Sequence, residues 1–293
     1  MQDPPFARAP FARAPVAGAA FGGLMVLGCI AMSANSLLAF FSLGGLIIVG
    51  GGVIAVAFMS FPADDVHAAL RAIAAMLREP AATHQHMYRD MRNIMTWAHV
   101  IKEKGRRRLE SGLNTAELDD PLLQYGLNMV LGDYTPDEVR SMMTTAADAE
   151  YERDCVPVDV LQAMASHAPA FGMVGTLVGM IAMLRSLDGN IAGIGSTLAV
   201  AFLSTLYGVT SARMVYMPAA ARLRQEVESR SFRHALVTEG MVMLANNQAP
   251  SHIQDRLNGF LPSGMRDYFD SIASSQPQAM ARPAMPRLRA VGR

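Results

Sequence analysis

From Ala14 to Ala63 the chain carries no Asp, Glu, Lys or Arg, a gap of fifty consecutive positions. A helix needs roughly 20 apolar residues to cross the hydrocarbon core of a bilayer. The gap therefore holds two spans and a turn, which the sequence places at Ser33-Ala34-Asn35-Ser36. Two further uncharged runs, Val160–Leu184 (in which His167 is the one titratable group) and Gly189–Ala212, hold one span each. The predicted fold is all-α: a polytopic membrane protein with four transmembrane helices and a helical cytoplasmic insert between the second and third. Composition agrees, since 17% of the 293 residues are charged, against about 25% in soluble domains.

Basic residues orient the spans. Arg8 and Arg13 precede the first span, eleven Lys or Arg lie between Pro62 and Ala165, and ten lie after Pro218. Arg185 stands alone in the outer loops, and Arg213, near the inner end of span four, has a side chain long enough to snorkel. Both termini are thus expected in the cytoplasm. The zero net charge averages over compartments and says nothing about partners. The resulting layout is a lead at 1–14, containing the duplicated PFARAP unit, then spans one and two at 15–61. The cytoplasmic insert follows at 62–166, spans three and four at 167–217, a cytoplasmic helical region at 218–273, and a disordered tail at 274–293. Cys29 and Cys155 make no disulfide framework and read as packing residues.

Within the insert, Asp64 and Asp65 cap a helix bearing Val66, Leu70, Ile73 and Leu77 at helical spacing, and a second apolar stripe carries Met87, Met91, Ile94, Met95 and Ile101. The charge cluster KEKGRRRLE spans Lys102 to Glu110. Thr135-Pro136-Asp137-Glu138 then reads as an N-cap, a proline at the first helical position and a capping-box glutamate. That helix buries Val139, Met142, Met143 and Ala146 and is expected to end near Asp154, before Pro157. Beyond span four, Leu223, Val227, Leu236 and Met243 are packing candidates.

No enzyme motif is present: no H-E-x-x-H, G-x-S-x-G, paired CxxC or Walker A, and His84-Gln85-His86 point apart on a helix rather than at one metal. The triple glycine Gly50-Gly51-Gly52 lacks the Lys-Ser/Thr of a phosphate loop and suits close helix packing. More informative is that no Asp, Glu or Lys lies in the body of any span. An ion path usually needs an intramembrane ionisable group, so a conducting assembly has to take its carboxylate from another chain. What the spans offer is hydroxyls: Thr176 in span three, Ser204 and Thr205 in span four, beside Gly172, Gly175, Gly179 and Gly208. One such hydroxyl is ordinarily bonded back to its own helix; two spans presenting them together suggest a shared polar seam. Pro169 and Pro218 read either as a helix start and a helix stop or as a pair of hinges. The Lys102–Glu110 cluster reads either as a solvated positive-inside face or as a docking surface.

PAFGMVGTLVGMIAML (169–184), a short outer loop and AVAFLSTLYGVTSARMVYMP (199–218) resemble the flagellar motor stator A subunits, the MotA/PomA type within the MotA/TolQ/ExbB proton-channel group. The resemblance covers roughly Gly18 to Leu261, and two spans before the insert favour the stator branch over the ExbB and TolQ relatives, which have one. It implies a homo-oligomer, a ring of five, around two copies of a B subunit whose single helix supplies the ion-binding aspartate and whose outer domain grips peptidoglycan. Thr176, Ser204 and Thr205 would form the path for H+ or Na+, with no cofactor, and Pro169 and Pro218 would fall at the family's two functional prolines. Lys102 and Glu110 would match a family arginine and glutamate facing a FliG-like rotor switch protein, with Arg106, Arg107 and Arg108 as added charge. The lysine keeps the charge but loses the bidentate fork. The alternative is a non-flagellar, ExbB/TolQ-like energiser.

Overall fold

The computed structural model describes residues 40–75, 83–112, 120–186 and 194–260, and among them every regular element is helical. The first expected span, near 15–33, lies outside the described residues, as do the lead and the tail. The helices are α1 (Leu43–Ser60), α2 (Ala63–Ala75), α3 (Thr83–Lys104), α4 (Arg106–Gly112), α5 (Pro121–Leu131), α6 (Pro136–Ser186), α7 (Ile194–Ser211), α8 (Met217–Ala245) and α9 (Pro250–Asn258). Helices α1, α6 and the run from Thr197 to Ala245 are long and apolar enough to cross a membrane. The chain packs as two units. Among the described residues, one unit, here the membrane unit, joins 40–75 to 153–227, and a second, named the cytoplasmic unit after the side on which the sequence reading expects it, joins 83–152 to 228–260.

In the membrane unit, α1 starts at Ser42, whose Oγ accepts from the Gly45 N–H at 3.3 Å. It contains a widened π turn at Ile47–Gly51. Gly52 follows, where a Cβ would meet Phe171 Cγ at 2.7 Å, so the missing side chain lets an aromatic ring lie on the α1 backbone.

The prolines depart from the expected boundaries. Helix α6 does not stop near Asp154: it runs unbroken through Pro157 and Pro169 to Ser186. Pro169 is therefore no helix start, and each ring leaves one carbonyl, that of Arg153 or Ala165, without its intrahelical donor. Such interruptions are tolerated where neighbouring helices and local adjustments resatisfy the backbone. Nor is Pro218 a helix stop. It is the second residue of α8, directly after a π turn at Ala212–Tyr216 that continues α7, with the Met217 N–H bonding five residues back to Ala212 O. Widening this turn relieves the clash a proline ring makes with the carbonyl four residues earlier, here Met214.

In the cytoplasmic unit Met91, Ile94, Leu127, Met143, Leu236, Met241 and Leu257 are fully buried in one core. The capping box forms as read: Glu138 Oε2 accepts from the Thr135 N–H at 2.9 Å, and Thr135 Oγ1 accepts from the Glu138 N–H at 3.3 Å. Val139 and Met143 face inward, whereas Met142 is exposed. Asp120 caps α5, its Oδ1 accepting from Leu122 N at 2.8 Å and Leu123 N at 3.1 Å, with Pro121 at the first helical position.

Candidate functional site

Small residues set how closely α6 and α7 approach. A Cβ on Gly172 would lie 3.1 Å from both Ser204 O and Thr205 Cα, and one on Gly208 would lie 2.5 Å from Ala168 O. At this contact hydroxyls on one helix reach the backbone of the other. Thr176 Oγ1 lies 3.1 Å from its own-helix Gly172 O and 3.2 Å from Ala201 O across the gap. Thr205 Oγ1 reaches Gly172 O at 3.2 Å, and the two threonine hydroxyls are 2.5 Å apart.

Each hydroxyl has one proton to donate and two lone pairs to accept with. Thr205 can donate to Gly172 O while Thr176 donates to Thr205 or Ala201 O; either way lone pairs remain. The pair is half-buried, so it is open on one side. It offers neutral oxygens to a cation, or acceptors to a protonated carboxyl, without holding a charge of its own.

Ser204 lies apart from this pair. It is fully buried, donates to Val200 O at 2.9 Å, and fills the space left by Gly45 on α1 and Gly175 on α6, where added Cβ atoms would sit 2.8 and 2.7 Å from its Oγ. One turn on, Tyr207 joins α7 to α1: its hydroxyl accepts from the Ser42 N–H at 2.8 Å and donates to Phe40 O at 2.5 Å. Sequence reading missed Tyr207. The available signal was a tyrosine within an apolar span, whose O–H has to find a partner when buried.

The expected rotor-facing residues lie in the cytoplasmic unit, at a break between α3 and α4. Lys102, Arg107, Arg108 and Glu110 are exposed. Arg106 turns inward instead, paired with Asp133 and donating to Ala245 O at 2.7 Å. A buried charge cluster also went unread: Arg233 on α8 lies 2.5 Å from Asp90 Oδ2 and 2.6 Å from Asp120 Oδ2. Burial pushes the Asp90 carboxyl above its ordinary range, against the opposing pull of Arg233. Burial also works against the Arg233 charge, but its bonds and attraction to Asp90 and Asp120 raise it overall.

Residues 114–235 match the MotA/TolQ/ExbB proton channel family. The chain is 29% identical over 236 residues to the uncharacterized protein YtxD of Bacillus subtilis, covering 80% of this chain and 84% of that protein. It is 29% identical over 242 residues to the chemotaxis protein PomA of Vibrio alginolyticus, covering 83% of this chain and 90% of that one. Its fold is similar to that in the flagellar MotAB stator complex from Bacillus subtilis, with a TM-score of 0.74 at 21% identity, covering 89% of this chain and 99% of the other.

Proposed function

We propose that the chain, whose residues 114–235 match the MotA/TolQ/ExbB proton channel family and which is similar to PomA over most of its length, is the A-type, ion-channel subunit of a flagellar motor stator. It sits in the bacterial inner membrane with both termini in the cytoplasm and couples inward flow of protons or sodium ions to torque. The observation that carries this reading is the Thr176–Thr205 pair: oxygen acceptors in touch across two spans, in a chain whose spans hold no carboxylate. A B subunit supplies the titrating aspartate, and the half-buried hydroxyls receive it. Ser204, buried behind the pair, sets the helix spacing that holds the path.

Five copies surround two B helices. Each ion entering the membrane field releases about 2.3 kcal/mol per charge per 100 mV, enough to shift a two-state packing more than tenfold. When the ion neutralises the aspartate, the cost of facing an apolar wall falls and the ring steps. Pro157 and Pro169 inside α6, and Pro218 beside its π turn, are where these helices can bend. Lys102, Arg107, Arg108 and Glu110 then meet a FliG-like rotor protein.

Swimming speed of cells carrying Thr205→Val and Thr176→Val, each isosteric and without the hydroxyl, tests the path. Both variants are expected to lose most of their speed at unchanged membrane levels. Unaltered swimming in both would sink the proposal. Speed against external sodium at fixed pH, with a protonophore control, identifies the ion.

A further inference from the structure

The charge run Lys102–Glu110 contains one residue that the fold treats differently. Lys104 ends α3, Gly105 turns the chain at φ +79°, a conformation natural to glycine, and α4 begins at Arg106. Arg106 and Leu109 face inward, Leu109 being buried, while Arg107, Arg108 and Glu110 face outward.

The guanidinium of Arg106 meets two helix ends at once. Helix α5 finishes at Leu131 and α8 at Ala245, and the last carbonyls of a helix lack intrahelical donors. Backbone N–H groups take some of them: Gly132 bonds Asn128 O, Tyr134 bonds Met129 O, and residues 246–248 bond Val242, Leu244 and Met243 O. Arg106 reaches two others, donating to Ala245 O at 2.7 Å and toward Val130 O at 3.4 Å, and it pairs with Asp133 in the turn between α5 and α6. Asp133 itself sits at φ +58°, which favours few side chains. A cation at two negative helix ends is favourable, and the guanidinium serves them from two separated nitrogens, Nη1 toward Val130 O and Asp133 and Nη2 toward Ala245 O, where an ammonium would have to reach all three from a single point.

We propose that Arg106 is a positioning residue: it fixes the direction in which α4 presents Arg107, Arg108 and Glu110 to the rotor, and is not itself a contact. This rests on the stator reading above. Because the bracing depends on the fork as well as the charge, Arg106→Lys should behave unlike a conservative change.

The test uses the full chain expressed with its own B subunit, reading torque per stator unit from the speed steps of single motors, alongside membrane level and amide exchange of 106–112. R106K is expected to lower torque per unit roughly twofold or more, because lysine lacks the fork, at wild-type membrane level and with faster exchange in α4. D133N should act in the same direction, and the double variant should lose no more than R106K alone. Full torque in R106K with loss in Arg106→Gln would make Arg106 a charge contact and overturn the proposal. So would a fall in membrane level with torque per unit unchanged. If R107E and R108E leave torque untouched while R106K still loosens α4, the rotor reading falls and the brace stands.

Discussion

The membrane and cytoplasmic units face the same difficulty, polar groups away from water, and solve it with different chemistry. Around α6 and α7 the solution is neutral: Ser204 bonds back to Val200 O, the threonines share the carbonyl of Gly172, Tyr207 donates to Phe40 O, and glycines bring the backbones close enough for this. In the cytoplasmic unit it is ionic: Arg233 holds Asp90 and Asp120, and Glu239 receives Arg140 at 2.9 Å and Arg256 at 3.0 Å. The difference follows from the solvent on the far side. Charges are very costly where lipid surrounds the unit, whereas water around the cytoplasmic unit hydrates each charge until the core closes. A buried ion pair gains little over apolar packing, yet breaking one partner leaves a buried charge stranded. The cytoplasmic unit should therefore fail abruptly at a single residue, and the membrane unit gradually.

Arg233→Ala carries the largest expected effect. It strands Asp90, which is 1% exposed, beside Asp120, and such losses cost about 3–5 kcal/mol. The chain has one tryptophan, and Trp97 is buried in the cytoplasmic core. Its fluorescence therefore reports on this unit alone during urea unfolding of the purified protein. The Trp97 midpoint should collapse in Arg233→Ala; a midpoint within error of wild type would break the contrast.

Next comes Gly175→Val in the membrane unit. A Cβ there meets Ser204 Oγ at 2.7 Å, and overpacking of this kind costs about 1–3 kcal/mol. Less monodisperse protein after heating in detergent, with the Trp97 transition unmoved, is the expected pair of results. Movement of both would show that the units do not fail separately.

A smaller effect is set by pH. Burial, with Arg233 and Arg230 nearby, depresses His234 below its ordinary value of 6.5, against the opposing pull of Glu150 at 3.9 Å and of Asp120. A depressed pKa means that the neutral form favours the fold. Its contribution is complete above 6.5 and is lost as pH falls through the folded-state value. The Trp97 urea midpoint should decline on acidification over that window, and His234→Gln should flatten the decline. A variant with the same slope as wild type would move the acid sensitivity to other groups.

The two units were also unequally legible in the sequence. Gaps in charge marked the spans, and hydroxyls beside glycines marked the α6–α7 seam, because a membrane leaves a long one-dimensional signature. The capping box at Thr135–Glu138 was readable for a similar reason, being contained in four residues. What escaped depended on distant partners. Arg106 belongs to a run that looks solvated, and nothing local says that two helix ends lie beneath it. Asp90, Asp120 and Arg233 are separated by up to 143 positions and look like ordinary surface charges one at a time. The continuation of α6 through Pro157 is not legible locally, because proline's penalty argues for a helix end there, whereas packing of Val158, Val160, Leu161 and Met164, all buried, holds it.

The smallest effect sharpens the comparison most. Ser204 is fully buried, and in a soluble core a buried hydroxyl and its partner would be a sensitive pair. Its bond, however, returns to Val200 O on the same helix, whose carbonyl also takes the regular helical N–H that Ser204 itself donates four residues on. Removing the hydroxyl therefore strands no donor, and even hydrogen bonds between membrane helices average only about 0.6 kcal/mol. Ser204→Ala should leave heat resistance in detergent almost unchanged and should fit easily against Gly45 and Gly175. Thr176→Val and Thr205→Val, whose hydroxyls face each other at 2.5 Å, should likewise leave stability nearly intact while swimming is lost. Were Ser204→Ala as damaging as Arg233→Ala, the membrane unit would be relying on its polar groups as heavily as the cytoplasmic one, and solvent could no longer explain why the two units are built from different chemistry.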